Sequence, residues 1–184
     1  MKPSRRSVLA AGVITAVACP SIAWAQESRP QIVAAQSPEP RLAGRALMRF
    51  FGLRVYEARL WVSAGASPDV FERECFLELR YALSLKGDRI ADRSVDEIAG
   101  IGQGTDAQRK AWGTAMRQLF PDVSDGDRLL GHYLPRGPSR FHFNDRPIGT
   151  IEDPQFGRAF FGIWLDPRTS EPGLRAALLK GFAS

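Results

Sequence analysis

The sequence predicts an α+β domain, an antiparallel β-sheet with helices packed on it, and three observations carry that expectation. Strand-like and helix-like stretches come in blocks: strands, two helices, strands, two helices. A doubly wound parallel fold would instead alternate one strand with one helix. Near the carboxyl end, the helical stretch after Asp153 has Phe156, Ala159, Phe160, Ile163 and Trp164 on one face, with Phe161 and Leu165 widening it. A helix that apolar must be wrapped by protein. The chain also shows no internal repeat, which argues against a solenoid.

Taken in order, residues 41–51 and 53–63 are two apolar-rich runs meeting near Gly52. In the second run Leu53 and Val55 occupy one parity while Ala58, Leu60 and Val62 occupy the other, so a bulge near Tyr56 is expected. Ser67-Pro68-Asp69 marks a turn or a short helix start, and residues 75–83 alternate as a third strand. Two helix starts follow. Ser94-Val95-Asp96-Glu97 and Thr105-Asp106-Ala107-Gln108 both have capping-box spacing. The second helix carries a clear stripe of Ala111, Trp112, Ala115, Met116 and Leu119, and Pro121 stops it. Residues 128–134 and 139–144 pair as strands, and Asn144-Asp145-Arg146-Pro147 turns the chain into a short strand. Asp153 then caps the apolar helix with Pro154 at its first position, Pro167 closes it, and Ser170 starts a last helix ending near Gly181.

The amino end reads differently. Lys2, Arg5 and Arg6 precede a short apolar run, and Ala23-Trp24-Ala25 offers a cleavage site, so residues 1–25 are expected to be an export signal. Ser4-Arg5-Arg6-Ser7-Val8-Leu9 resembles the twin-arginine type, with a general secretory signal as the alternative; Cys19 lies in a loose match to a lipoprotein box. The mature protein is then periplasmic, with no transmembrane segment. Residues 26–40, rich in Ser, Gln and Pro, read as a linker or loosely attached strand, and 41–184 as the domain. The whole chain has 25 basic and 20 acidic residues, but three of the basic ones lie in the signal, leaving near balance. No domain-wide positive surface points to nucleic acid. One cysteine, Cys75, remains after the signal, so an internal disulfide and a cysteine metal cluster are both excluded.

Catalytic and cofactor motifs are missing. His132 and His142 lie on strands without zinc spacing, Gly102-Gln103-Gly104 lacks the setting of a dinucleotide loop, and no cofactor or metal is expected. Arginine remains. Arg41, Arg45 and Arg49 share one parity on the first strand, and an arginine beside an apolar pocket is a ready partner for a carboxylate or enolate.

The stretch Phe50-Phe51-Gly52-Leu53-Arg54-Val55-Tyr56-Glu57-Ala58-Arg59-Leu60-Trp61 resembles the bacterial chalcone isomerase-like family. So do the Gly126-Asp127 turn, Arg140-Phe141-His142-Phe143-Asn144 and residues 156–179. That resemblance implies a cleft between sheet and helices. In plant enzymes of this fold an early-strand arginine with a threonine, a tyrosine and an asparagine cyclises chalcones. Here those hydroxyl and amide positions fall at Phe51, Ala107 and Thr114, a second threonine falls at Ile163, and only the arginine survives, as Arg45 or Arg41. Other members bind fatty acids without catalysis, an arginine holding the carboxylate. The resemblance therefore implies a noncatalytic binder of a small apolar carboxylate or phenolic ligand, with Arg45, Arg41, Phe51, Thr114, Ile163 and Trp164 as its binding residues. The alternatives are an isomerase or lyase of chalcone isomerase type, and a protein-interaction module without a small ligand.

Overall fold

The structure, a computed structural model, describes residues 29–36 and 39–182; the expected signal, residues 1–25, lies outside them. In chain order the elements are α1 (Gln31–Ala34), β1 (Arg41–Phe50), β2 (Leu53–Val62), β3 (Cys75–Tyr81), α2 (Gly87–Gly100) and α3 (Asp106–Leu119). They are followed by β4 (Arg128–Tyr133), β5 (Ser139–Phe143), β6 (Arg146–Ile151), α4 (Pro154–Leu165) and α5 (Pro172–Leu178). The strands form one six-stranded sheet in sequence order, every neighbouring pair antiparallel. This is the α+β architecture the block order predicts. No described helix is long and apolar enough to cross a membrane.

One face of the sheet carries the core. Ala58, Leu60, Val62, Leu77, Leu79 and Phe141 are buried there with Phe156, Phe160, Phe161 and Trp164 of α4. Five of the six large apolar residues of α4, these four and Leu165, are buried, each worth roughly 1.5–3 kcal/mol, and Ile163 is half-buried. Helix α4 starts where expected: Asp153 Oδ1 accepts from Gln155 N at 2.9 Å with Pro154 in the first turn. The other oxygen of Asp153 accepts from Trp112 Nε1 of α3 at 2.8 Å, so one carboxylate both caps α4 and fixes its neighbour. Gly157 permits the close approach of helix to sheet, because a Cβ there would lie 3.0 Å from the Tyr133 ring.

Two register shifts decide which side chains of the first hairpin face the helices. Opposite Met48 and Arg49 the pairing skips Val55, the bulge that the parity change near Tyr56 requires. A second shift, between Leu42 and Gly44, inserts Ala43 into β1. That extra residue reverses the parity of the strand. Arg41 consequently pairs with Val62 on the helix-covered face, while Arg45 pairs with Arg59 on the other.

Three local expectations differ from the structure. Helix α2 begins at Gly87, not at Ser94; Ser94 is buried mid-helix and donates to the Ile90 carbonyl at 2.8 Å, one turn back. Helix α5 begins at Pro172 with Glu171 in the cap position, and Ser170 instead donates to Glu97 Oε2 at 2.8 Å. Within 26–40, one turn of helix forms, and its Val33 is fully buried with Trp61, Phe76 and Leu130 on the far face of the sheet.

Candidate functional site

An apolar cavity of about 360 Å³ lies between the sheet and helices α2, α4 and α5. That volume is within the roughly 300–1,000 Å³ typical of small-molecule sites. The sheet contributes Met48, Val55, Tyr56, Leu79, Tyr81 and Leu129. Opposite them stand Ile90 and Ser94 of α2, Phe160, Ile163 and Trp164 of α4, and Leu174 of α5. Each helix follows its own apolar stripe, so the cavity is space left where three stripes converge over one end of the sheet. Its edge carries Phe50 and Leu53 from the β1–β2 hairpin, and Arg89, Arg93, Glu97, Ser170 and Glu171 from the helical side.

Polar chemistry in the cavity is sparse and well placed. Trp164 Nε1 donates to the Tyr56 hydroxyl at 3.0 Å. Tyr56 thus accepts through its oxygen, and its own proton has no acceptor among the described residues. Burial pushes the Tyr56 phenol up to about 12, partly opposed by the Trp164 hydrogen bond, with Glu171 and Glu97 raising it further. Burial moves Tyr81 the same way. Both phenols are neutral near pH 7, and Tyr56 serves as a hydrogen-bonding group. At the edge, Arg93 is paired with Glu97 one turn along α2, whereas Arg89 forms no ion pair among the described residues.

Of the residues expected at the site, the structure brings Ile163 and Trp164 to the cavity wall and leaves the other four outside it. Arg45 is exposed on the far face of the sheet, which corrects its expected place at the cleft. Arg41 lies on the helix-covered face but at the opposite end of β1 from the cavity, donating to the carbonyls of Gly181 and, at 2.8 Å, Phe182. The inserted Ala43 separates the two arginines. Phe51 stands at the hairpin tip, 91% exposed, and Thr114 is on the outer side of α3, its hydroxyl donating to the Lys110 carbonyl at 3.1 Å. The residues that sequence reasoning missed are Tyr56 and Arg89. The alternation of β2 could have pointed to Tyr56 as inward-facing beside the bulge, whereas Arg89 lay in a stretch read as preceding the helix.

Comparison with known proteins gives a consistent picture. A family model described as chalcone isomerase-like matches residues 25–180. An uncharacterized protein of Haemophilus influenzae is 31% identical over 137 residues, covering 74% of this chain and 66% of the relative, so the chain spans about two thirds of that relative's length. Among solved structures, the crystal structure of a fatty-acid binding protein of Arabidopsis thaliana matches with a TM-score of 0.60 at 12% identity, over 79% of this chain and 89% of that one. At such low identity the match speaks to fold alone.

Proposed function

This chain belongs to the chalcone isomerase-like family, and from that premise we propose that it is a noncatalytic binding protein for a small apolar molecule with an acidic end, such as a fatty acid. The observation that carries the proposal is the apolar cavity with the Tyr56 hydroxyl in its wall and at its edge a guanidinium, Arg89, without an ion pair among the described residues. An apolar tail removed from water in that space gains about 0.8 kcal/mol per methylene. The carboxylate then has Arg89 as an ionic partner and Tyr56 as a neutral donor. The fold neighbour described as a fatty-acid binding protein supports this reading. So does the chemistry: the cavity offers neutral phenols, and the family resemblance puts the plant enzymes' hydroxyl positions at Phe51, Ala107 and Ile163. We further propose that the protein works in the periplasm after losing residues 1–25, as the pattern of its amino end indicates.

Native mass spectrometry of the purified protein, followed by organic extraction, tests the function. We expect a copurifying fatty acid, displaced by a fluorescent analogue, with Arg89→Ala weakening binding of the acid about tenfold and leaving the corresponding alcohol unaffected. No retained lipid together with no displacement overturns the proposal. Turnover of chalcones or other enolisable phenols, abolished in Arg89→Ala, would replace it with an isomerase.

A further inference from the structure

We infer that the β1–β2 hairpin is a bilayer-docking element, which seats its aromatic tip among anionic lipid headgroups beside the edge of the cavity. The turn residues Phe51 and Gly52 both have positive φ, 46° and 80°, and Phe50 pairs with Leu53 across them. This is the two-residue turn that favours Asn-Gly. A phenylalanine in the left-handed region is unfavourable, and the ring it meets edge-on, Phe50 at 4.5 Å between centroids, is itself at the surface: Phe51 is 91% exposed, with Phe50 58% and Leu53 67% exposed beside it. Strain and exposed apolar surface coincide at one residue, the pattern of a functional contact.

The surroundings specify the partner. From Arg45 to Tyr56 the chain has three arginines and no acidic residue, Glu57 then lying 3.5 Å from Arg54, and Arg49 and Arg54 face each other across the hairpin directly behind the tip. An apolar projection backed by cations matches a membrane surface, its rings entering the acyl boundary and its guanidinium groups meeting phosphates. Edge-strand protection accounts for arginines on β1, but not for Phe51. Phe50 and Leu53 also line the cavity, so docking brings its edge to the lipid. Docking stands on the hairpin alone; direct exchange of a ligand between bilayer and cavity rests on the function proposed above.

Cosedimentation with vesicles tests it, using phosphatidylglycerol mixed with phosphatidylcholine against phosphatidylcholine alone. The wild type is expected to bind the anionic vesicles and to lose binding as salt rises. Phe51→Asn is expected to bind them about fivefold more weakly while its Tm rises, because asparagine suits the turn; a folding defect would lower both. Arg49→Gln with Arg54→Gln is expected to weaken binding about tenfold or more and flatten the salt dependence. Absence of wild-type binding at low salt, or undiminished binding by either variant, overturns the inference. A dimer that Phe51→Asn dissociates, without vesicle binding, also overturns it and assigns the tip to a second copy of the chain. Displacement of the fluorescent fatty acid without vesicles is measured in parallel, so failure of the cavity reading and failure of the docking reading are distinguished.

Discussion

The Tyr56–Trp164 hydrogen bond is predicted to be a coupled structural unit of the cavity wall, and a double-mutant cycle tests it. Trp164 is 7% exposed, and its indole N–H has the Tyr56 hydroxyl as acceptor at 3.0 Å. Tyr56→Phe keeps the ring and strands that donor against apolar neighbours, at a cost of about 1–3 kcal/mol. Trp164→Phe strands the Tyr56 hydroxyl and also enlarges the cavity where the indole meets Phe160, with ring centroids 5.4 Å apart. Its cost is on the order of 2–4 kcal/mol. The double variant removes both polar partners, so it should fall short of the summed single effects by about 1–2 kcal/mol. Urea unfolding with an unchanged m-value provides the measurement, and each 1 kcal/mol corresponds to roughly 2–4 °C in Tm for a domain of this size. Additivity within about 0.3–0.5 kcal/mol would refute the reasoning, since it would mean that the hydrogen bond contributes nothing that water does not.

Alkaline pH should destabilise the fold before it inactivates any chemistry. Burial raises the phenols of Tyr56 and Tyr133 to about 12 and pushes up Tyr81 and the Cys75 thiol, so the unfolded chain loses these protons first. Their contribution is complete below about pH 8 and fades as pH rises, the thiol's from about 8.5 and the phenols' through about 10 towards 12; Tyr56→Phe should remove roughly 2–3 kcal/mol of that pH-dependent loss in denaturant titrations. Two glycines should respond in opposite directions. Gly157→Ala places a methyl group 2.9 Å from Ser139 Oγ and 3.0 Å from the Tyr133 ring and should lower stability by about 1–3 kcal/mol. Gly100→Ala, at the exposed end of α2 with nothing nearby, should raise it by about 0.5–1 kcal/mol; calorimetry checks both.

The fold was legible in the sequence wherever side-chain period and cap chemistry agreed. Thr105 with Gln108 forms the reciprocal cap at the start of α3, and Asp153 with Pro154 starts α4, because both pairs act through bonds local to the chain. Ser94 misled for a physical reason. A serine three residues before a glutamate looks the same whether it opens a helix or, as here, bonds back to a carbonyl already inside one. The arginine site was lost to a single inserted residue, since one bulge at Ala43 sends Arg41 and Arg45 to opposite faces. Gly44, a glycine inside a strand, was the available hint. It is needed there because α5 crosses so closely that a Cβ would lie 2.2 Å from the Ala177 carbonyl oxygen. Tyr56 and Arg89 became visible only when α2 and α4 were placed over the same end of the sheet, and no local pattern encodes that juxtaposition.

The clasp of α5 onto β1 has a consequence for timing. Arg41 grips carbonyls 140 residues further along, at Gly181, and the Gly181 amide donates back to Ala43 at 2.8 Å. Leu174, the cavity residue that α5 supplies, is therefore held in place by contacts between segments far apart in sequence. Until those contacts form, the trough over Tyr56 and Trp164 lacks one wall, and completing it depends on the long-range kind of pairing that is slowest to form. In the folded molecule the same contacts keep Leu174 against the sheet, so loosening the Arg41 clasp is expected to free that wall of the cavity before the strands beneath it open.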